Sequence, residues 1–302
     1  MDFSFTEEQQ ELRDSARSWL AERYPPERVA ELADSEAGWD PASWSQLAEL
    51  GWLGVSVPED RGGAGLGFLE EAILLEELGY ALYPGPYLAT VALALPALDA
   101  EEQARVAAGE ARWSVEVHGL VPDWGRVDRV LGDPPAGEAL PSIDPTRPLG
   151  RVRSSGGELG PRGLAALACE AVGVGQRALE WGIEQARTRE QFGKPIGVYQ
   201  AVSHSLADSY VEIELARSLA YWAAWAVSEE DEQAPLAAAA AKAQATEAAV
   251  AACERSIQVH GGIGFTWEHP LHRWYKRALW LEAFGGRPAE HRAAVADALL
   301  GP

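Results

Sequence analysis

The C-terminal half of the chain is a series of long stretches whose apolar residues recur at three-to-four spacing, separated by short breaks. Leu164 to Thr188, Val198 to Val227, Leu236 to Val259, Leu271 to Leu281 and Pro288 to Leu300 all read as helices. In the second, Val202, Leu206, Val211, Leu215, Leu219 and Trp222 fall on one side. Such helices with short connections predict an antiparallel four-helix bundle over residues 162–302. Ala168, Gly173 and Gly175 are small enough to let another helix approach closely. The alanines from Ala237 to Ala241 read as high propensity combined with tight packing.

The first 99 residues read as a second helical domain. Thr6 followed by Gln9 fits a capping box, with Leu12, Ala16, Trp19 and Leu20 on one face behind it. Asp40-Pro41 predicts a helix start before Trp44, Leu47 and Leu50, and Gly51 a left-handed end. The glycine-rich loop from Val57 to Gly65 separates this from a helical pattern over Phe68 to Leu78. Leu88 to Leu98 reads as a buried helix. From 100 to 161 proline and glycine become frequent. Only short strand-like pieces survive there, at Trp113 to Val117, Val127 to Leu131 and Leu149 to Arg153. The expected fold is therefore mainly α, with a reduced β-containing middle segment over 100–161.

Charge narrows the function classes. A formal net charge of -21 repels phosphate backbones and anionic lipid surfaces, which argues against nucleic acid or a membrane as a partner. Cys169 and Cys253 lie inside apolar helical patterns, so neither a disulfide framework nor a metal site is expected. The N-terminal stretch has no basic region followed by an apolar one, and no apolar run reaches membrane-spanning length. A cytoplasmic location is the expectation.

Two breaks carry chemistry. The first runs from Arg187 to Gln200 and the second from Gln258 to Thr266. Arg189 offers a forked cation suited to a diphosphate, and Phe192 an aromatic face for a purine. Gly261, Gly262 and Gly264 remove side chains where backbone amides can meet a ligand, while Gln258 and Thr266 can hydrogen-bond polar edges. His260, His269 and His272 cluster near the second break in no common zinc spacing, and read as capping or packing residues.

These breaks, written R-x-x-F-G-K-P-I-x-x-Y-Q and Q-V-H-G-G-I-G-F-T-x-E-H-P-L-H-R, together with the earlier P-E-D-R-G-G-A-G, resemble the acyl-CoA dehydrogenases. The resemblance covers nearly the whole chain except the middle segment. It implies FAD as cofactor, with a proton removed α to an acyl-CoA thioester and a hydride passed from the β carbon to the flavin. It also implies that the C-terminal motifs serve the flavin of a neighbouring subunit. Carried over residue by residue, Arg189, Phe192, Tyr199, Gln200, Gln258, Gly261, Gly262 and Gly264 would touch the adenine or diphosphate side of that flavin.

The sequence departs from the family pattern twice. The T-E-P-like segment and the later tryptophan-containing strand of the family's middle domain are missing. About 60 residues hold too few strand-and-turn units, at roughly 8 to 12 residues each, to build that domain in full. The family's usual glutamate base falls on Gly285, and the alternative position at the start of the first C-terminal helix reads Pro161-Arg162-Gly163-Leu164. Glu282 and Glu170 are the nearest substitutes, but each reads first as a solvated or ion-paired glutamate, and the catalytic base stays unassigned.

These departures predict a subunit that completes the FAD site of a longer acyl-CoA dehydrogenase homologue in a heteromer. Electron-transferring flavoprotein is the electron acceptor that the resemblance implies. A self-sufficient homo-oligomer with an atypical base, and a non-catalytic interaction protein of the same fold, are the alternatives.

Overall fold

The computed structural model describes residues 5–132, 134, 136–153 and 156–301. Helix α1 (Glu7–Arg23) starts on the expected capping box, in which the Thr6 hydroxyl accepts from Gln9 N and the Gln9 side chain accepts from Thr6 N. Next come α2 (Pro26–Ala33), α3 (Ala42–Glu49) and α4 (Phe68–Ala81). Gly51 ends the α3 region at φ 75, as expected. Helix α4 is the axis of the N-terminal region and is buried along most of its length, with Ile73, Leu74 and Leu75 inside.

Leu88 to Leu98 is helical but not an α-helix. A π-helical turn over Leu88–Ala94 runs into a 3-10 turn over Leu95–Ala97, where Pro96 has no N–H to continue a regular ladder. The segment expected to hold only strands opens instead with helix α5 (Ala100–Ala107), whose Asp99 carboxylate caps Glu102 N at 2.9 Å.

The strands of the middle segment are short. They are β1 (Trp113–Ser114), β2 (Leu120–Pro122), β3 (Arg129–Val130), β4 (Glu138–Leu140) and β5 (Leu149–Arg151). β1 pairs with β3 in parallel, and β5 lies between β2 and β4 in an antiparallel sheet with Val121 opposite Gly150. β1, β3 and β5 sit inside the three expected windows but span two or three residues each, whereas β2 and β4 lie outside them. A buried ionic cluster fixes them to the helices. Arg147 donates to Glu170 at 2.6 Å, and Arg277 bonds Asp144, Glu170 and Thr146.

The C-terminal helices are α6 (Pro161–Thr188), α7 (Gln200–Ser228), α8 (Ala234–His260), α9 (Leu271–Ala283) and α10 (Pro288–Leu300), with hairpin strands β6 (Glu190–Gln191) and β7 (Lys194–Pro195) between α6 and α7. Helix α8 packs against α6, α7, α9 and α10. Small residues permit the closest crossing: a Cβ on Gly173 of α6 would lie 1.9 Å from Glu76 O of α4, and one on Gly79 of α4 would lie 2.2 Å from Glu170 O. The up-down-up order of α6, α7 and α8 returns the C-terminal ends of α6 and α8 to one end of the bundle. Both sequence breaks are there. No helix among the described residues is long and apolar enough to cross a membrane.

Candidate functional site

The first break folds as a tight hairpin. Helix α6 stops at Thr188, Arg189 turns to an extended backbone, and β6 pairs with β7 in the register Glu190 to Pro195 and Gln191 to Lys194. Two residues remain for the loop, Phe192 at φ 54 and Gly193 at φ 73. Positive φ at both central positions defines a type I′ turn, which glycine and asparagine adopt most readily. A phenylalanine there is strained by about 1 kcal/mol or more, and its ring is 91% exposed. Local stability therefore does not account for it. Tyr199, the cap residue of α7, braces the hairpin by donating its hydroxyl to Gln191 O at 3.2 Å, and the exposed Gln200 opens α7.

The second break closes α8. Gly261, at φ 64 and ψ −137, lets its N–H reach Gln258 O and Ile257 O, and the chain continues as a 3-10 turn over Gly261–Phe265. A Cβ on Gly264 would lie 2.6 Å from Ile257 O, whereas nothing lies within 4 Å of one on Gly262. Gly262 thus presents bare backbone. Thr266 donates its hydroxyl to Ile263 O at 2.9 Å within the turn, and both Thr266 and Gln258 are exposed.

A cavity of about 530 Å³ joins the two breaks, lined by Gln185, Thr188, Arg189, His260, Gly262 and Ile263. Of the residues singled out from the sequence, Arg189 and Gly262 line it. Phe192, Tyr199, Gln200, Gln258, Gly261 and Gly264 belong to the surrounding turns and helix ends rather than to the lining. Arg189 makes no ion pair or side-chain hydrogen bond among the described residues. A guanidinium without a counter-ion beside bare backbone suits an anionic diphosphate, and an exposed flat ring nearby suits a stacked base.

His260 also lines the cavity, which its reading as a capping or packing residue missed. Its Nδ1 lies 2.8 Å from Ser256 O, leaving Nε2 as the ring nitrogen open to a ligand. His269, whose centroid is 4.3 Å away, accepts Leu271 N through Nδ1 and meets Trp181 edge-on. Burial, and then His260, hold the His269 imidazole down at about 4. The only signal in the sequence was that His260 directly precedes the glycine pair.

The carboxylate side of the chemistry looks different. Gly285 has φ 72, and a Cβ there would lie 2.5 Å from Leu159 Cδ1 and 3.3 Å from Leu167 Cδ1. The left-handed backbone strains any side chain there, and the Leu159 side chain would have to shift to admit one. At the alternative position Arg162 pairs with the fully buried Glu71 and stacks over Phe68 at 4.4 Å. Glu170 is buried in the ionic cluster with Arg147 and Arg277. Burial, and then Glu247, push the partly exposed Glu282 carboxyl up, and Lys242 bonds the Glu282 backbone oxygen. A second cavity of about 440 Å³, lined by Leu93, Leu159, Arg162 and Gly163 among others, includes neither Glu170 nor Glu282.

The chain matches two family descriptions, acyl-CoA dehydrogenase N-terminal domain over residues 6–118 and acyl-CoA dehydrogenase C-terminal domain over residues 162–300. It is 34% identical over 295 residues to the acyl-CoA dehydrogenase IpdE2 of Mycobacterium tuberculosis, covering 90% of this chain and 91% of that protein. It is 33% identical to the acyl-CoA dehydrogenase FadE34 of the same organism, covering 93% of this chain but 46% of that one. Among solved structures it resembles a chain of the Tcur3481-Tcur3483 steroid acyl-CoA dehydrogenase G363A variant, with TM-score 0.86, 26% identity and coverage of 97% and 98% of the two chains. A chain of the ChsE4-ChsE5 complex from Mycobacterium tuberculosis gives TM-score 0.84 and 27% identity, over 100% of both chains.

Proposed function

The chain belongs to the acyl-CoA dehydrogenase family, FAD-dependent oxidoreductases acting on the CH–CH group of an acyl-CoA, and we propose that it works as one subunit of a heteromer. In this reading a longer homologue holds the acyl-CoA and the base, and this chain completes the partner's FAD site. The observation that carries the proposal is the contrast between two ends of the same chain. Where the family has a glutamate, Gly285 backs onto Leu159, yet Arg189, the strained Phe192 turn and the bare Gly262 backbone are all in place.

Each residue of that end has a role in the proposal. Arg189 donates forked hydrogen bonds to the diphosphate, the exposed Phe192 ring stacks on the adenine, and Gly262 brings its backbone amide close. Tyr199 holds the hairpin, and Gly261 and Gly264 shape the turn that sets Gly262. Gln200 and Gln258 offer polar groups at the two helix ends. His260 adds one ring nitrogen to the same cavity. A flavin held there would supply the hydride acceptor for the β carbon, and in this reading a carboxylate of the partner would take the α proton. Electron-transferring flavoprotein is the acceptor we assign.

Two features of the relatives support the reading. FadE34 carries a region like this chain in less than half of its length. Both solved structures described above carry the names of two proteins. The likeness to a steroid acyl-CoA dehydrogenase makes a bulky acyl-CoA, from fatty acid or steroid catabolism, the substrate class we favour.

The test is Arg189→Ala in the complex purified with its longer partner. Losing a charge-assisted contact worth about 1.5–3 kcal/mol should weaken FAD retention roughly tenfold to a hundredfold. Unchanged flavin affinity and activity would remove the shared site.

A further inference from the structure

The chain opens few of its large aromatic side chains to water, and those are placed together. Among the described residues the exposed phenylalanines and tryptophans are Phe192, Phe265 and Trp267, all in the two breaks or directly after the second. Phe265 is 75% exposed and Trp267 76%, whereas every other described tryptophan is buried or half-buried. Phe265 closes the 3-10 turn whose Gly262 and Ile263 line the Arg189 cavity, and Ile263 is itself exposed. An apolar rim thus continues outward from that cavity. Clustered apolar residues open to water mark contact sites, whereas single ones need no explanation.

Trp267 is held in place before anything docks on it. Its ring meets His272 edge-on with 4.5 Å between centroids, and Lys276 Nζ lies over it at 4.5 Å from the centroid. An aromatic side chain that is already fixed loses little freedom on binding. Such rings, large and pre-organised, carry much of the energy of protein interfaces.

Charge selects the occupant. Over residues 184–194 and 261–276 the cations Arg187, Arg189, Lys194 and Lys276 outnumber Glu184, Glu190 and Glu268, in a chain whose formal net charge is -21. Arg273, in the same stretch, is paired with Asp34. A second copy docked by a two-fold contact would set this patch against itself, like charge facing like. Two chains of that net charge also repel as wholes. A different chain, with carboxylates around an apolar slot, meets neither obstacle.

We infer that Phe265 and Trp267 anchor this chain to the longer homologue, in apolar slots rimmed by carboxylates that face Lys276 and Lys194. The inference rests on the heteromer proposed above and adds the side chains that hold it together. Phe192 stays with the flavin.

The experiment reads assembly separately from flavin: sedimentation of the full chain with the longer homologue across a dilution series, alongside FAD per complex by visible absorption. Trp267→Ala and Phe265→Ala should each weaken association at least about tenfold and leave the unfolding midpoint of the chain alone unchanged. Trp267→Phe keeps a ring and should recover most of the loss. Lys276→Glu should also weaken association, by a factor that shrinks as salt is raised. Association of both alanine variants as tight as wild type would overturn the anchors and leave the shared flavin standing. Tight association with FAD lost would give the rings to the cofactor and overturn the anchors as well. So would a homodimer of the chain alone that Trp267→Ala dissociates, or binding of the chain alone to phosphatidylglycerol vesicles that Trp267→Ala abolishes. If the wild-type chain and the longer homologue do not associate, the anchors and the heteromer fall together.

Discussion

Leu159 Cδ1 lies 2.5 Å from where a Cβ of Gly285 would stand, so the side chain from the loop before α6 occupies the space a side chain at the family's base position would need. The backbone there is left-handed as well, at φ 72. Restoring the missing residue type is therefore not enough to restore a base. Gly285→Glu should lower the unfolding midpoint by about 2–4 kcal/mol of stability, from backbone strain plus overpacking, and give the isolated chain no dehydrogenase activity. Thermal unfolding and a dye-coupled acyl-CoA assay check both. A stable, active variant would show that the chain can supply its own base.

The Phe192 turn separates stability from function. Phe192→Asn suits a type I′ turn better than phenylalanine and should hold or raise the stability of the chain by about 1 kcal/mol. In the assembled complex the same variant loses the stacking face, so flavin retention should fall. A variant that destabilises the chain and leaves flavin retention intact would make Phe192 a structural residue.

Arg277 ties the middle segment to the bundle. It is fully buried, bonds Asp144 and Glu170, and donates to Thr146 Oγ1 at 2.7 Å. Arg277→Met leaves those carboxylates short of positive charge and should cost about 3–5 kcal/mol. Denaturant unfolding followed by tryptophan fluorescence measures it. A cost below about 1 kcal/mol would mean the cluster is not what holds the segment.

The histidines behind the second break set an acid limit. His269 and His272 are both held at about 4, the first by burial and then His260, the second by burial and then Arg273 and Lys276. Between about 4 and the ordinary 6.5 the unfolded chain binds more protons at these sites than the folded one. Their contribution therefore rises with pH across that window and is flat above it. Stability of the wild type should fall more between pH 7 and pH 5 than that of the double variant His269→Gln, His272→Gln. Equal losses would remove the histidines as the cause.

Much of this fold is legible in the sequence. The Thr6-Gln9 box and the long C-terminal helices were readable because capping and 3.6-residue periodicity are local. Antiparallel order then puts both breaks at one end of the bundle. Helix α2 has no place in the sequence reading, although Pro26 fits the first turn of a helix and Val29 and Leu32 provide its buried face. Helix α5 was hidden by the proline and glycine content that follows it, despite Asp99 three residues before Glu102. The place of His260 in the cavity, and of Leu159 against Gly285, depends on contacts between distant segments that no local pattern encodes.

The measurement that tests the central claim most directly is FAD per chain by visible absorption, with solution mass, for the chain alone and co-expressed with a longer acyl-CoA dehydrogenase homologue. The shared-site account predicts little flavin on the chain alone and about one FAD per heterodimer in the complex. About one FAD per chain in a homo-oligomer would contradict it and point to a self-sufficient enzyme, with Glu282 the first carboxylate to test as its base.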